Sequence, residues 1–542
     1  MLPIHPAHGD DHRFTPFTHF MDGRMTGQAK TSFYVTTPIY YVNDKPHIGH
    51  AYTTLACDVL ARFKRLDGYD VMFLTGTDEH GQKVEKAAHD KGVTPQDFTD
   101  SVSQNFRDLT GRMNFSNDDF IRTTEARHRA ACQKLWRLLL EKGHITLGSY
   151  AGWYAVRDEA FYTETELVDG KAPSGAPVEW VEEPSYFFNL SQWQQPLLDF
   201  YEANPNFVGP ESRFNEVKSF VHGGLRDLSV SRASFSWGVP VPDDDAHVMY
   251  VWLDALTNYI TATGWPTDGE HGDAETYQTR WPADLHMVGK DILRFHAVYW
   301  PAFLMAADLP LPKRVFAHGW WTNEGEKISK SLGNAIDPND LADEFGLDQM
   351  RYFLMREVPF GNDGDFSRQA MIHRMNGDLA NDLGNLSQRV LSMIFKNCDG
   401  KMPALPSAPT PEDMAILGAA DALLATVRTT MDQQAFHEGL RHIWQVVADA
   451  NRYVDAMAPW GLKKTDPPRM QEVLAVLAEV IRQVAILVQP VMPEATSRML
   501  DQLGVDDDAR EFDRIGGATR LPSGHVIDKP EPVFPRYIVE EA

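Results

Sequence analysis

A strand, a short loop and the start of a helix near the N-terminal end place the strongest constraint on this chain. Phe33-Tyr34-Val35 is an aromatic and β-branched run that reads as a strand. The segment Thr36 to His50 follows, and Leu55, Val59, Phe63 and Leu66 then recur at helical spacing until Gly68. His47 and His50, with Gly49 between them, thus pass from a strand end onto the first turn of a helix. Free backbone N–H groups and the helix dipole favour an anion at that point. Imidazoles there can donate to a phosphate, and Gly49 leaves room for a flat base against the backbone. A lone four-residue pattern of this kind is common in surface turns, so it needs a second signal.

That signal is Asn323-Glu324-Gly325-Glu326-Lys327-Ile328-Ser329-Lys330-Ser331-Leu332-Gly333-Asn334. Two lysines and two serines between glycines suit a loop closing on a polyphosphate whose charge shifts during reaction. Together the two stretches resemble the signatures of the class I aminoacyl-tRNA synthetases. The resemblance implies ATP binding by His47, Gly49, His50, Gly289, Lys290, Lys327, Ser329 and Lys330. It gives the catalytic work to His47, His50, Lys327 and Lys330. One position departs from it, Ile328, where the family commonly has Met.

The bulk of the chain is compatible with that. Its 542 residues predict three or four domains. No apolar run approaches the roughly 20 residues of a membrane span. Residues 1–30 lack a hydrophobic segment and carry Asp10, Asp11 and Asp22, so they read as a disordered extension rather than a targeting peptide. Cys57, Cys132 and Cys398 form no Cys-x-x-Cys, which fits a reducing cytoplasm and excludes a four-cysteine zinc site. His128 and Cys132 stand four apart and read as helix packing. Lys plus Arg is 51 against 76 Asp plus Glu, a net charge of −25. A basic-tail nucleic-acid binder is excluded, whereas contact with a structured RNA through limited basic patches is not.

Strands and helices alternate over 31–144, which predicts a parallel, doubly wound sheet with ligands beyond the carboxyl ends of its strands. Over 145–234 the texture becomes aromatic and Gly- and Pro-broken, predicting a mostly β insertion that splits the sheet; alternation resumes over 235–320. The Lys/Ser loop and a short mixed region occupy 321–370. Residues 371–515 are helical, with Phe436, Leu440, Ile443, Val447, Ala450, Val454 and Met457 on one apolar face. Pro459, Pro467 and Pro468 interrupt that pattern before a helix from about Met470. The tail, 516–542, crosses back over the body.

Within the class, the stretches Tyr250–Tyr259 and Gly289–Trp300 are similar to those of the methionyl-tRNA synthetases, and the resemblance runs from about Ser32 to Leu500. It implies an α/β Rossmann-type catalytic domain split by a mostly β connective insertion, then an α-helical anticodon-binding bundle. It implies a methionine pocket of Ile39, Tyr41, Asp78, Trp252, Ala255, Leu256, Tyr259, Ile292, Phe295, His296 and Trp300, with Asp78 facing the substrate ammonium. Polarizable aromatic walls and one weak donor, the Tyr259 hydroxyl, suit a thioether. Trp252 with Tyr259, and His296 with Trp300, stand two turns and one turn apart, so each pair can face one pocket. Asn385, Arg389 and Trp460 match the positions that read the anticodon of tRNA(Met). Relatives carry a cysteine zinc knuckle in the insertion; here Ala155, Asp158 and Ala172 stand in that region, predicting a metal-free module. ATP, Mg²⁺, methionine and tRNA are the implied partners, and a chain without an oligonucleotide-binding appendix predicts a cytoplasmic monomer. A branched-chain synthetase would carry a larger editing insertion, and a small nucleotidylyltransferase would lack the helical part.

Overall fold

The computed structural model describes residues 30–42, 45–157, 160–162, 164–327 and 336–538. Six parallel strands form the central sheet: β1 (Ser32–Tyr41), β2 (Asp70–Asp78), β3 (Asp119–Arg122), β4 (Val208–Gly209), β5 (Leu285–Gly289) and β6 (Val315–His318). Their order is β3-β2-β1-β5-β6-β4. The chain runs outward from β1 on one side and returns on the other. The crevice beyond β1 and β5 is therefore the switch point where such sheets bind ligands. β1 is longer than the sequence pattern predicts, continuing past Pro38 to Tyr41. Its register against β2 shifts between Thr36 and Ile39, and that irregularity accommodates a residue with no N–H to donate.

Between the halves lies a four-stranded antiparallel sheet of Ala160–Tyr162, Ile145–Ala155, Glu179–Phe188 and Leu228–Ser229. The same stretch adds the helices Gln194–Ala203 and Glu211–His222 and returns β4 to the edge of the central sheet. The insertion is thereby pinned to the sheet that it interrupts.

The helical part packs Asn385–Asn397, Pro411–Asp432, Phe436–Met457, Pro467–Val488 and Pro493–Gln502 around a shared core. Pro467 and Pro468 open a helix instead of interrupting one, because first-turn residues have no partner for their N–H groups. Asp466 caps that turn by accepting from the Arg469 N–H at 3.2 Å. Helix Pro411–Asp432 is long and apolar enough to span a membrane, yet it packs against Phe436–Met457 and Pro467–Val488. The tail crosses back as expected, burying Val533 and Phe534, with the Tyr537 N–H donating to Asn376 Oδ1 at 2.8 Å.

A fully buried ion pair joins the two halves of the molecule. Asp58, on helix Ile48–Leu66, takes the Arg351 guanidinium at 2.6 Å with both side chains fully buried. Arg351 also donates to the carbonyls of Met113, Pro490 and Val491 at 3.2, 2.9 and 2.9 Å. Asp58 further accepts from the Ser116 N–H and hydroxyl, both at 2.7 Å, and from Arg62 at 2.9 Å. Burial alone would raise the Asp58 carboxyl, but Arg351 and Arg62 hold it below its ordinary 3.8. Removing one partner leaves an uncompensated buried charge, so Arg351→Ala should cost about 3–5 kcal/mol, read as a lower urea midpoint at neutral pH. A carboxyl with a depressed folded value contributes fully above its unfolded value and loses that contribution as pH falls through the folded one. The penalty of Arg351→Ala should therefore shrink in acid, below about pH 4.

Candidate active site

The carboxyl ends of β1, β2, β5 and β6 open on one cavity of about 680 Å³. Tyr41, Asp78, Gly289 and His318, the last residues of those strands, all line it. His47, Gly49 and His50 enter from the loop and first turn after β1. Trp252, Ala255, Leu256 and Tyr259 come from helix Val251–Thr261; Ile292, Phe295 and His296 come from the segment after β5; Ile39 completes the wall. The structure thus gathers most of the sequence-predicted site residues into one space.

The two histidines cap the helix that they begin. His47 Nδ1 accepts the Gly49 N–H at 3.1 Å, and His50 Nδ1 accepts the His47 N–H at 3.0 Å, a reciprocal capping box. An Nδ1 that accepts puts the ring proton on Nε2 in the neutral imidazole. Capping therefore sets both rings in the tautomer whose Nε2–H can donate to an anion. The rings lie 4.0 Å apart, and a Cβ at Gly49 would come within 2.9 Å of His47 Cε1. The ring of His47 itself thus occupies space that a side chain at 49 would need.

Trp252 stacks on Phe295 with centroids 3.4 Å apart and planes 13° off parallel, an apolar, polarizable wall. Tyr259 is engaged differently from the sequence expectation. His296 Nδ1–H donates to the Ile292 carbonyl at 2.9 Å, leaving Nε2 to accept the Tyr259 hydroxyl at 2.6 Å. The phenol proton is committed to histidine, so its oxygen is left as an acceptor. Burial brings His296 down to about 4, pushes Tyr259 up and lowers His318. Trp300 does not line the cavity; it is fully buried behind Tyr259, centroids 6.1 Å apart. Residues Phe295–Tyr299 form a π turn with Trp300 N–H donating to Phe295 O. The extra residue in that turn rotates Trp300 by about 100° from where α-helical spacing from His296 would put it.

Lys290 is not among the cavity's lining residues; its Nζ lies 2.7 Å from both Asp363 oxygens and 4.2 Å over the ring of Trp320, which does line it. Lys327 ends the short strand Glu326–Lys327, while Ile328, Ser329 and Lys330 lie outside the described residues. In the bundle, Asn385 is exposed at the start of helix Asn385–Asn397. Arg389, one turn on, donates to Asp455 Oδ1 at 3.2 Å and Asn451 Oδ1 at 3.3 Å. Trp460 is 49% exposed at the start of helix Pro459–Thr465. In the insertion, Ala155, Ala172 and Ala176 form a small apolar cluster against Tyr162 and Val178; Asp158 lies outside the described residues.

Sequence reasoning missed one feature of the cavity wall and one buried beside it. Asp291 lines the cavity and takes the Trp320 indole N–H at 3.1 Å. Asp254 is buried beneath helix Val251–Thr261, joined to His80 and to His128. So the pair His128 and Cys132 is more than helix packing. A carboxylate inside the apolar run Val251–Tyr259 was the available signal, since such a residue is seldom buried without partners.

A split parallel sheet with a histidine-capped helix at its switch point and a helical domain behind it defines a class I aminoacyl-tRNA synthetase. Residues 33–177 and 165–391 match the family described as tRNA synthetases class I (M), and 405–542 match the anticodon binding domain of methionyl tRNA ligase. The methionine–tRNA ligase of Rickettsia felis is 58% identical over 94% of this chain and 99% of its own length. That of Rhizobium meliloti is 56% identical over 94% and 99%. The Mycobacterium tuberculosis methionyl-tRNA synthetase in complex with methionyl-adenylate superposes with a TM-score of 0.90, at 52% identity, over 93% of this chain and all of that one. This chain belongs to the methionyl-tRNA synthetase family.

The neutral Tyr259–His296 pair has a consequence in acid. His296 falls from its ordinary 6.5 to about 4 on folding, so its contribution to stability is complete above 6.5 and lost as pH falls through 4. His296→Gln should therefore destabilise the protein more at about pH 7.5 than at about pH 4.5, compared by urea midpoints. A penalty that is equal at both values would show an imidazole that titrates normally.

Proposed function

We propose that this chain activates L-methionine with ATP to methionyl-adenylate and transfers the methionyl group to the terminal ribose of tRNA(Met), for protein synthesis including initiation. The observation that carries this is a single cavity. It joins a pair of anion-facing imidazoles to an aromatic wall and a carboxylate, in a chain of this family. The methionine carboxylate is already ionised at neutral pH, so attack on the α-phosphorus needs no base. Catalysis is then positioning and charge stabilisation. His47 and His50 direct Nε2–H groups at the α-phosphate, and Gly49 and Gly289 border the nucleotide. Lys327 and Lys330, with Ser329, close on the β- and γ-phosphates.

Trp252 and Phe295 form the thioether wall with Ile39, Tyr41, Ala255, Leu256 and Ile292, while Tyr259 and His296 close its floor. Asp78 takes the ammonium. Trp300 serves as packing behind Tyr259, and Lys290 steadies Asp363. Mg²⁺ suits this site in a limited way, because Asp291 is a hard oxygen donor on the wall and the cation binds largely through phosphates. When bound, it neutralises phosphate charge. Among the described residues of the insertion, the Ala155–Ala172–Ala176 cluster offers zinc no ligand, and elemental analysis should find no zinc. The protein acts as a cytoplasmic monomer, which sedimentation velocity and cell fractionation check.

Amino-acid-dependent ATP–pyrophosphate exchange tests the substrate. Methionine should far exceed leucine and isoleucine, and Lys330→Ala should lower kcat about 100-fold. A preference for a branched aliphatic amino acid would overturn the assignment. For the RNA, Trp460 offers a stacking plane, Arg389 a charged fork and Asn385 a donor and acceptor. Trp460→Ala should lower charging kcat/KM for tRNA by about 10- to 100-fold while leaving adenylation near wild type. If both steps fall together, Trp460 is a structural staple and the anticodon is read elsewhere.

A further inference from the structure

Asp254, His80, His128 and Cys132 form a buried polar cluster that touches none of the cavity. Asp254 Oδ2 lies 2.6 Å from His80 Nδ1, and Oδ1 lies 2.8 Å from His128 Nε2. Cys132 Sγ stands 3.2 Å from His128 Nε2 and donates toward the Asp254 carbonyl at 3.7 Å. Three elements meet here: the residues just beyond β2, helix Ala126–Glu141 and helix Val251–Thr261. Each side leads at once to the site. His80 is two residues from Asp78, and Asp254 is two residues from Trp252 and adjacent to Ala255.

A buried carboxylate is costly to desolvate, and apolar residues could pack the same junction. What a charged, directional network adds is a fixed distance and angle between the elements that it joins. The segment around Asp78 is fixed from other sides too. Glu79 is held by Arg122 at 2.7 and 2.9 Å, and the Gly81 N–H donates to Trp237 O at 3.0 Å. We propose that Asp254, gripped by His80 and His128, is a positioning residue that sets the Asp78 carboxylate against the Trp252 wall and so governs selection for an α-ammonium group. This rests on Asp78 being the ammonium partner.

The ligand atoms of His128, Cys132 and Asp254 lie within 4.8 Å of one another, a spacing that a metal ion could also use. Hydrogen bonding accounts for it better. The ring nitrogens facing Asp254 stand at proton-sharing distance, and burial, together with Asp254, pushes the Cys132 thiol far up, away from the thiolate that a metal takes.

The test compares binding of methionine with binding of 4-(methylthio)butanoate, the same side chain without the ammonium, by tryptophan-fluorescence quenching. Asp254→Asn should reduce methionine's advantage over the analogue by about tenfold while leaving the analogue's own Kd within about twofold. His80→Asn, which keeps a donor near the Nδ1 position, should preserve the advantage, and His80→Gln, which moves the donor outward, should lose it. That pair carries the comparison if Asp254→Asn fails to fold. An advantage unchanged in Asp254→Asn, or both ligands weakened alike, overturns the positioning role. So does a stoichiometric metal in the wild type that Cys132→Ala removes. Asp78→Asn is the control. If it leaves the advantage intact, the ammonium assignment of Asp78 is what fails; if it abolishes the advantage while Asp254→Asn does not, only the positioning role fails.

Discussion

The buried pair of Asp58 and Arg351 decides how the rest of the molecule is arranged. Helix Ile48–Leu66 carries His50 in its first turn and Asp58 further along the same rod. Whatever fixes Asp58 therefore fixes the orientation of the histidine end as well. Arg351 does so from the helical side, through one carboxylate and three backbone carbonyls, two of them from the turn at Pro490 and Val491. A guanidinium with five donors in a planar fork suits such a junction, and a lysine would leave several of those acceptors unpaired. The catalytic sheet and the helical bundle thus share a buried electrostatic joint, with the more exposed pairs Lys64–Asp432 and Arg428–Asp67 beside it.

The loop at the other end of that helix shows how local structure prepares chemistry. A helix start leaves N–H groups without partners, and here two imidazoles satisfy two of them. The same bonds that cap the helix select the ring tautomer. One set of contacts thus both caps the helix and fixes the orientation and tautomer of two cavity-lining rings. With an overall charge of −25, the protein gains little from bulk attraction to polyanions. Recognition has to come from placed donors of this kind.

Much of this was legible from residue patterns, because the patterns report local physics. The alternation of strands and helices, the apolar face of Phe436–Met457 and the histidine loop all follow from periodicity and from the needs of helix ends. The failures are equally physical. The aromatic and β-branched run stops at Val35, yet the strand continues past Pro38, whose missing donor an irregular register absorbs. Pro467 looked like a break, but a first turn has no use for that donor. His296 and Trp300 share a face only if the helix between them is regular, and a π turn separates them. Asp254 with His80 and His128 could not be read from spacing, since those contacts span 126 to 174 residues. The pairing of Lys290 with Asp363, 73 positions away, was likewise beyond the reach of local pattern.

The floor of the cavity explains why so many histidines sit near a reaction that needs no base. Burial holds His296 and His318 below their ordinary value, so both are neutral at physiological pH. A neutral imidazole that accepts from Tyr259 and donates to a backbone carbonyl has both nitrogens committed inside the wall. It shapes the pocket without competing for the substrate's charge. The imidazoles of His47 and His50 instead line the cavity from a helix N-terminus, with Nδ1 of each used as a capping acceptor. Burial depth thus separates two settings for one residue type, neutral wall members below and helix-capping rings at the cavity's edge above.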